Sequence, residues 1–380
     1  MRAYVLTDAR LAKLAGRVVR LEVDTEKPRN APFVERFPID AWPTLLAIDP
    51  ATEQVVLRWA GTATAAQIER LALDAERAIR AGQTSRADEA LARADRLMGE
   101  RRHAQAAAAY REALQAGGKG WERRERAAEA VVQASGFAGD PAACAGAARE
   151  VLPALAPGAA AARAAAPGLA CALELDDDGA RAAALDALEP LGRKALAAGG
   201  VLADDRSWLY DQLAKARADR GDAAGARAVA RRWLAFLEGE AARARTPLAR
   251  SAFDGQRLQA AIRAGEPARA LPALLASERD LPHEFVPPTN LGVLYLELGR
   301  PKDALAAAER ALARAGGPRR IRVLVLRAQA QDALGDRAAA RATLERALSE
   351  AAALPDATRP KGYTAKAEKL LAELGGAAPE

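Results

Sequence analysis

Residues 290–311 read NLGVLYLELGRPKDALAAAERA, and this stretch decides the fold of most of the chain. It holds two apolar helical segments, which Gly299 and Arg300 separate. Small residues occupy fixed places, Gly292 in the first segment and Ala304 in the second, where they let two helices cross closely. The stretch therefore predicts a helix-turn-helix unit with a tight crossing.

The same turn signal recurs along the chain. Gly followed by Asp, Glu or Arg occurs at Gly139, Gly221, Gly265, Gly299 and Gly335. The residue five positions after each of these glycines is small, namely Cys144, Ala226, Ala270, Ala304 and Ala340. The last three glycines are 34 and 36 residues apart, which is close to the period of a helix-turn-helix repeat. An array of such repeats is therefore expected.

The pattern resembles the tetratricopeptide repeat. Its small and large packing positions are filled by Asn290, Leu291, Gly292, Tyr295, Gly299, Ala304, Ala308 and Ala311. The resemblance covers roughly residues 86–375 and is clearest over residues 285–352. It implies a mostly α-helical solenoid whose first helices line a groove for peptides or partner proteins. The residues that the resemblance places in such a groove are Asn290, Val293, Arg322, Gln329, Gln212 and Lys215.

Residues 1–80 have a different sequence pattern, with strand-like runs and turn residues. The stretch 17–24 alternates apolar and polar residues as a strand does, and residues 30–37 suit a short helix. Two further apolar runs, residues 42–48 and 54–59, flank a turn and predict a β-hairpin. A helix capped by Thr62 or Thr64 should follow.

This order of elements resembles the later part of a thioredoxin-like domain. In that family the proline of a loop such as Trp42-Pro43-Thr44 is cis, so the resemblance implies a cis bond before Pro43. The family also places a strand and a Cys-x-x-Cys motif ahead of the helix that residues 1–15 resemble, and neither precedes Met1. We therefore expect Met1 to be an internal methionine of a longer protein, or residues 1–80 to be a decayed, incomplete domain.

The amino-acid composition and the distribution of charge limit the kinds of partner that we expect. Half of the residues are hydrophobic but only 4% are aromatic, which favours alanine-rich helix packing. The formal charge of +6 is interspersed along the sequence, so we predict no nucleic-acid partner. We expect no membrane span and a cytoplasmic location, or export if a signal sequence lies upstream of Met1. The oligomeric state is left open.

Few residues are suited to catalysis. The chain has two histidines, His103 and His283, so we predict neither a metal site nor a catalytic site, and no cofactor. Cys144 and Cys171 are 27 residues apart in alanine-rich sequence, and we expect them to be buried small apolar residues without a disulfide. The favoured hypothesis is a non-catalytic interaction scaffold. The alternative is a thiol-disulfide oxidoreductase or redox chaperone whose N-terminal dithiol segment is missing.

An insulin-reduction assay tests the non-catalytic hypothesis. Nucleophilic dithiols need two thiols close together near a helix N-terminus, and neither cysteine here has that setting. The chain as given should therefore show no turnover above a thiol-free control protein. Clear turnover would rule out the non-catalytic hypothesis.

Overall fold

The computed structural model describes residues 5–81 and 85–375, so the expectation about Met1 lies outside the described residues. Contacts divide the chain into two compact units. The first unit is made of the chain up to Arg20 and of Pro38–Trp233, and the second of Leu21–Phe37 and the chain from Leu234 onward. The boundaries 1–80 and 86–375 stay a prediction.

The first unit begins with a small α/β segment. A 3-10 helix, Ala9–Leu14, is followed by strands β1, Thr44–Ile48, and β2, Val55–Ala60. The strands pair antiparallel, and the register shifts between Ala47 and Ile48. Helix α2, Ala65–Ala81, follows the hairpin, and helix α1, Ala31–Arg36, belongs to the second unit. The predicted hairpin and the short helix within residues 30–37 are thus confirmed.

The predicted cap of α2 is also confirmed. Thr64 Oγ1 accepts a hydrogen bond from the Gln67 backbone N–H at 3.2 Å, and Gln67 Oε1 accepts one from the Thr64 N–H at 2.8 Å. This reciprocal pair is a capping box, which satisfies two N–H groups that the first turn of a helix leaves free.

The strand predicted at residues 17–24 is wrong. Residues 18–24 have no regular secondary structure, and the side chains of Val19 and Leu21 are 88% and 80% exposed. A strand needs a neighbour for its backbone hydrogen bonds, and β1 and β2 are the only strands among the described residues. A complete thioredoxin-like sheet is therefore not supported.

The rest of the first unit is helical. Its helices are α3 Arg86–Gly99, α4 His103–Gly117, α5 Arg124–Phe137, α6 Pro141–Val151, α7 Ala159–Leu173, α8 Asp178–Ala197, α9 Ala203–Asp219 and α10 Ala223–Arg243, the last of which continues into the second unit. Successive helices pack in pairs. The first helices of three such pairs, α5, α7 and α9, lie side by side. This arrangement is that of stacked helical hairpins.

The second unit continues in the same way. Its helices after α10 are α11 Pro247–Ser251, α12 Asp254–Ala264, α13 Leu271–Asp280, α14 Val286–Glu297, α15 Pro301–Leu312, α16 Arg319–Ala333, α17 Arg337–Ala352 and α18 Lys361–Gly375. The turns after α14 and α16 contain Gly299 and Gly335 at φ of 66° and 82°, a backbone conformation that favours glycine. No helix among the described residues combines the length and the apolar composition that a bilayer span requires.

The close crossing predicted from residues 290–311 is present between α14 and α15. A Cβ added at Gly292 would lie 3.4 Å from the Ala304 carbonyl oxygen and 2.7 Å from Leu326 Cδ2. Ala304 and Leu291 are fully buried. The small residues therefore perform the packing role that the repeat pattern assigns to them.

Residues 21–37 pack within the second unit. Arg319 at the start of α16 forms ion pairs with Asp24, at 2.8 Å, and with Glu26, at 2.7 Å. Helix α1 contacts the 3-10 turn Asp356–Thr358. No local pattern in the sequence predicts these contacts, because the Arg319 ion pairs alone join residues nearly 300 positions apart.

The expectation of unpaired cysteines is wrong. Cys144 on α6 and Cys171 on α7 are joined by a disulfide, with their Cα atoms 6.0 Å apart. Both are buried, as predicted, at 0% and 7% exposure. The error arose because sequence separation says nothing about the distance between cysteines on two packed helices.

Helices α6 and α7 approach closely at Gly168, where an added Cβ would lie 2.3 Å from Ala148 Cβ. Neither atom belongs to a flexible side chain, so Gly168→Ala should lower the free energy of unfolding of the first unit by about 1–3 kcal/mol. Urea denaturation followed by circular dichroism measures the loss.

Gly146→Ala on α6 is the matched control. Nothing lies within 4 Å of its added Cβ, so the better helix propensity of alanine should stabilise by up to about 1 kcal/mol. Equal stability of the two variants would contradict the close packing at Gly168.

Candidate functional site

Four of the predicted groove residues lie on neighbouring first helices of the second unit. Asn290 and Val293 are on α14, Arg322 and Gln329 are on α16, and these two helices contact each other. Arg322 Nη2 lies 3.5 Å from Asn290 Oδ1. The structure therefore brings Asn290 and Arg322 together, as a shared groove would require.

Asn290 has an unusual environment. Its side chain is 3% exposed, yet its Nδ2 has no hydrogen-bond partner among the described residues. A buried amide donor without a partner costs about 1–3 kcal/mol. Asn290 Nδ2 can therefore donate a hydrogen bond to a further acceptor, such as a carbonyl or carboxylate oxygen.

Helix α18 supplies two more residues to this surface. Lys366 Nζ donates to Gln329 Oε1 at 3.2 Å, and the Arg322 guanidinium lies over the Tyr363 ring, 6.0 Å from its centroid. Sequence reasoning missed both Lys366 and Tyr363. The 36-residue offset between repeats could have identified them, because adding it to positions on α16 leads to α18.

Helix α12, which contacts α14, adds a buried ion pair that the sequence analysis also missed. Asp254 is 1% exposed and pairs with Arg257, and burial raises the pKa of the Asp254 carboxyl. Ser277 and Arg257 both hydrogen-bond the Asp254 side chain, whereas Arg257 Nε has no hydrogen-bond partner among the described residues. We name the surface along α12, α14, α16 and α18 the second-unit surface; beneath it, Asn290 Nδ2 and Arg257 Nε are buried donors without a partner among the described residues.

The other two predicted groove residues, Gln212 and Lys215, lie on α9 in the first unit. Gln212 is 4% exposed and donates to Asp211 at 3.1 Å. Lys215 forms an ion pair with Asp211 at 2.8 Å, one helical turn away. These are local contacts within α9, and a groove role for either residue stays a prediction.

The first unit holds a charged surface that sequence reasoning did not find. Four buried residues and the half-buried Arg126 form it, and we call it the hairpin-docking face: Asp95 on α3, Arg126 and Glu129 on α5, Arg163 on α7 and Asp205 on α9. All five lie under or beside the β-hairpin. No sequence pattern marks this face, because its charged residues are interspersed among many others. A charged residue that becomes buried is the same residue type as one that stays in solvent.

Part of this face binds the backbone of β2. Asp95 Oδ2 accepts from the Arg58 N–H at 3.1 Å, and Arg126 Nη2 donates to the Arg58 carbonyl oxygen at 2.8 Å. Asp95 and Arg126 form an ion pair with each other, and Tyr110 donates to Asp95 at 2.8 Å. The two side chains thus replace the neighbouring strand that the outer edge of β2 lacks.

The other part of the face binds hairpin side chains. Arg163 makes two hydrogen bonds of 2.7 Å to Glu129 and one of 3.3 Å to Asp205. Its guanidinium lies over the Trp59 ring, 5.1 Å from the centroid, and Thr62 donates to Asp205. Burial raises the pKa values of both Glu129 and Asp205, whose carboxylates Arg163 partners.

The predicted loop Trp42-Pro43-Thr44 precedes β1. The Trp42–Pro43 peptide bond is cis, as the resemblance implied. Trp42 is 69% exposed, and Thr44 Oγ1 donates to the Ala41 carbonyl oxygen at 2.7 Å. A functional role for this loop stays a prediction.

Comparison with known proteins supports the repeat assignment. The tetratricopeptide repeat family model matches residues 286–349, which are α14 to α17, and this confirms the resemblance over that segment. A search of curated proteins finds no significant match.

Solved structures of helical-repeat proteins also align with the chain. One is a tetratricopeptide repeat protein from Parabacteroides merdae, with 9% identity, 76% of this chain and 99% of that chain covered, and a TM-score of 0.46. Another is the TPR2AB domain of yeast Sti1 in its pHSP90 complex, with 14% identity, coverages of 76% and 98%, and a TM-score of 0.30. A third is Acl4, an assembly chaperone of RpL4, with 16% identity, coverages of 76% and 97%, and a TM-score of 0.34.

The hairpin-docking face generates a stability prediction. Asp95→Ala should lower the free energy of unfolding of the first unit by about 3–5 kcal/mol, because it leaves Arg126 buried without its carboxylate partner. Chemical denaturation measures this loss.

Glu112→Ala serves as the control. Its ion pair with Arg93 is solvent-exposed, so its removal should change stability by less than about 1 kcal/mol. If the two variants lose equal stability, the pair between Asp95 and Arg126 does not anchor the hairpin.

Proposed function

We propose that this chain is a non-catalytic scaffold that binds a peptide segment of a partner protein on the second-unit surface. The observation that carries the proposal is the buried Nδ2 of Asn290, which lacks an acceptor among the described residues. The family match covers α14 to α17, the helices that present Asn290, Val293, Arg322 and Gln329. Stacked first helices of such repeats are a recurrent docking surface for peptides.

The chemistry of the surface suggests what the peptide supplies. Asn290 would donate to a peptide oxygen, and the cations Arg322 and Lys366 stand on the same run of helices. The carboxylate of Asp254 is already paired with Arg257, so it does not offset those two cations. An acidic side chain or a C-terminal carboxylate near a backbone carbonyl fits this arrangement best.

The redox alternative finds no support among the described residues. Cys144 and Cys171 are bonded to each other and buried between α6 and α7. A catalytic dithiol needs an accessible thiolate of lowered pKa, and this disulfide is inaccessible. The predictions of no nucleic-acid partner and of the cellular location stay untested.

A peptide-display library panned on the full chain tests the proposal. Peptides selected on the wild-type chain should bind Asn290→Ala about tenfold more weakly, because they lose one hydrogen bond in a desolvated site. The thermal midpoint should fall only slightly, since the substitution removes an Nδ2 donor without a partner among the described residues and one 3.5 Å contact from Arg322 to Oδ1. Fluorescence anisotropy and the thermal midpoint measure the two effects separately.

Lys302→Ala is the control variant, because Lys302 is an exposed residue on the second helix of the same pair. It should bind the selected peptides as the wild-type chain does. The proposal fails if the library yields no binder, or if the selected peptides bind Asn290→Ala and the wild-type chain equally.

A further inference from the structure

The hairpin and the helices of the first unit have separate apolar cores. The hairpin packs with α2 around Leu57, Trp59 and Leu71, whereas the helical core begins at Ala90 and shares no residue with that cluster. The hairpin meets the first helices through the charged residues of the hairpin-docking face. A polar contact between two separate cores is typical of a docked module rather than of a continuous core.

The contacts on the hairpin-docking face resemble those of a bound peptide. Asp95 and Arg126 bind the N–H and the carbonyl oxygen of one extended residue, Arg58, and such backbone contacts place no demand on the side chain. Sheet-edge recognition of extended peptides uses the same main-chain groups. The face therefore recognises an extended strand as such.

Specificity comes from two hairpin side chains that follow. The Trp59 ring lies under the Arg163 guanidinium, and the Thr62 hydroxyl bonds to Asp205. A cation over an aromatic face and a charge-assisted hydrogen bond are both directional. The Arg58 side chain, in contrast, turns back to the Pro38 carbonyl oxygen. The recognised pattern is therefore an aromatic residue followed, three positions later, by a hydroxyl residue.

The contact between the hairpin and the helices encloses a small cavity. A cavity of about 20 Å³ lies between them, lined by Trp59, Met98, Tyr110, Arg126 and Gln133 among others. Arg126 Nη1, which is buried, has no hydrogen-bond partner among the described residues. A cavity of this size has room for about one water molecule, which can bind Arg126 Nη1 between the hairpin and the helices.

We propose that the hairpin-docking face is a strand-binding site that the chain's own hairpin occupies, and that its external partner is an extended segment with an aromatic residue three positions before a threonine or serine. This site lies in the first unit and does not depend on the function proposed for the second-unit surface. A tethered ligand has an effective concentration of roughly millimolar, so an external segment of equal affinity is excluded until the hairpin is weakened.

The test uses a fluorescein-labelled synthetic peptide of residues 42–64, which contains both strands and Thr62. Trp59→Ala in the full chain removes a buried residue of the hairpin core and leaves the five residues of the face intact. The peptide should bind Trp59→Ala about 100-fold more tightly than it binds the wild-type chain, where the tethered hairpin competes. Anisotropy titration measures both affinities.

Two controls accompany the titration. Ile79→Ala shortens a side chain on α2 that is 45% exposed, and it should bind the peptide no better than the wild-type chain does. A second peptide, with alanine in place of the residues at 59 and 62, should bind the Trp59→Ala chain about tenfold more weakly than the first peptide. Equal binding of the two peptides, or equal binding of the first peptide to all three chains, overturns the proposal.

Amide hydrogen exchange of the wild-type chain tests the same proposal without a variant, so it applies even if Trp59→Ala does not fold. The unlabelled peptide at about 2 mM should compete with the tethered hairpin and speed exchange of the Arg58 amide, which Asp95 protects. Exchange at Val131 and Val132 of α5 should stay slow, because those residues lie in the helical core. An Arg58 amide whose exchange is unchanged by the peptide shows a permanent hairpin and overturns the proposal.

Discussion

Close contact between small side chains is the constraint on which this structure depends. On α7, Ala161, Ala162, Ala164 and Ala165 are all buried, and Gly168 lies against Ala148 of α6. Small residues let helix axes approach, but each buries little apolar area and so contributes little hydrophobic free energy. Stability must therefore accumulate over many neighbouring helix pairs, which is how a repeat array is stabilised.

The β-hairpin shows how polar groups complement such a core. A two-stranded hairpin is marginal by itself, and within residues 5–81 and 85–375 no further strand pairs with the outer edge of β2. Asp95 and Arg126 supply the missing donor and acceptor while they neutralise each other. Buried charges are tolerated there because each one has a partner of opposite sign and a backbone group to bind.

The two surfaces differ in one physical respect. On the hairpin-docking face, Asp95, Glu129 and Asp205 already bind partners from the chain itself. On the second-unit surface, Asn290 Nδ2 and Arg257 Nε are buried without a hydrogen-bond partner among the described residues. Unmet hydrogen-bonding capacity is costly in a folded protein, so its position is a better indicator of a binding site than the residue types alone.

The sequence alone determined the features that arise from local patterns. Glycine and small-residue spacing predicted the repeats over residues 286–349, and alternation with turn residues predicted the hairpin. Tertiary structure alone decided the partners of Asp95, the disulfide of Cys144 and the absence of a strand at residues 17–24. Asn290 was predicted as a groove residue, but its unpaired amide was not. Periodicity reports which face of an element is buried, whereas a hydrogen bond such as that between Thr62 and Asp205, 143 positions apart, depends on how distant elements pack.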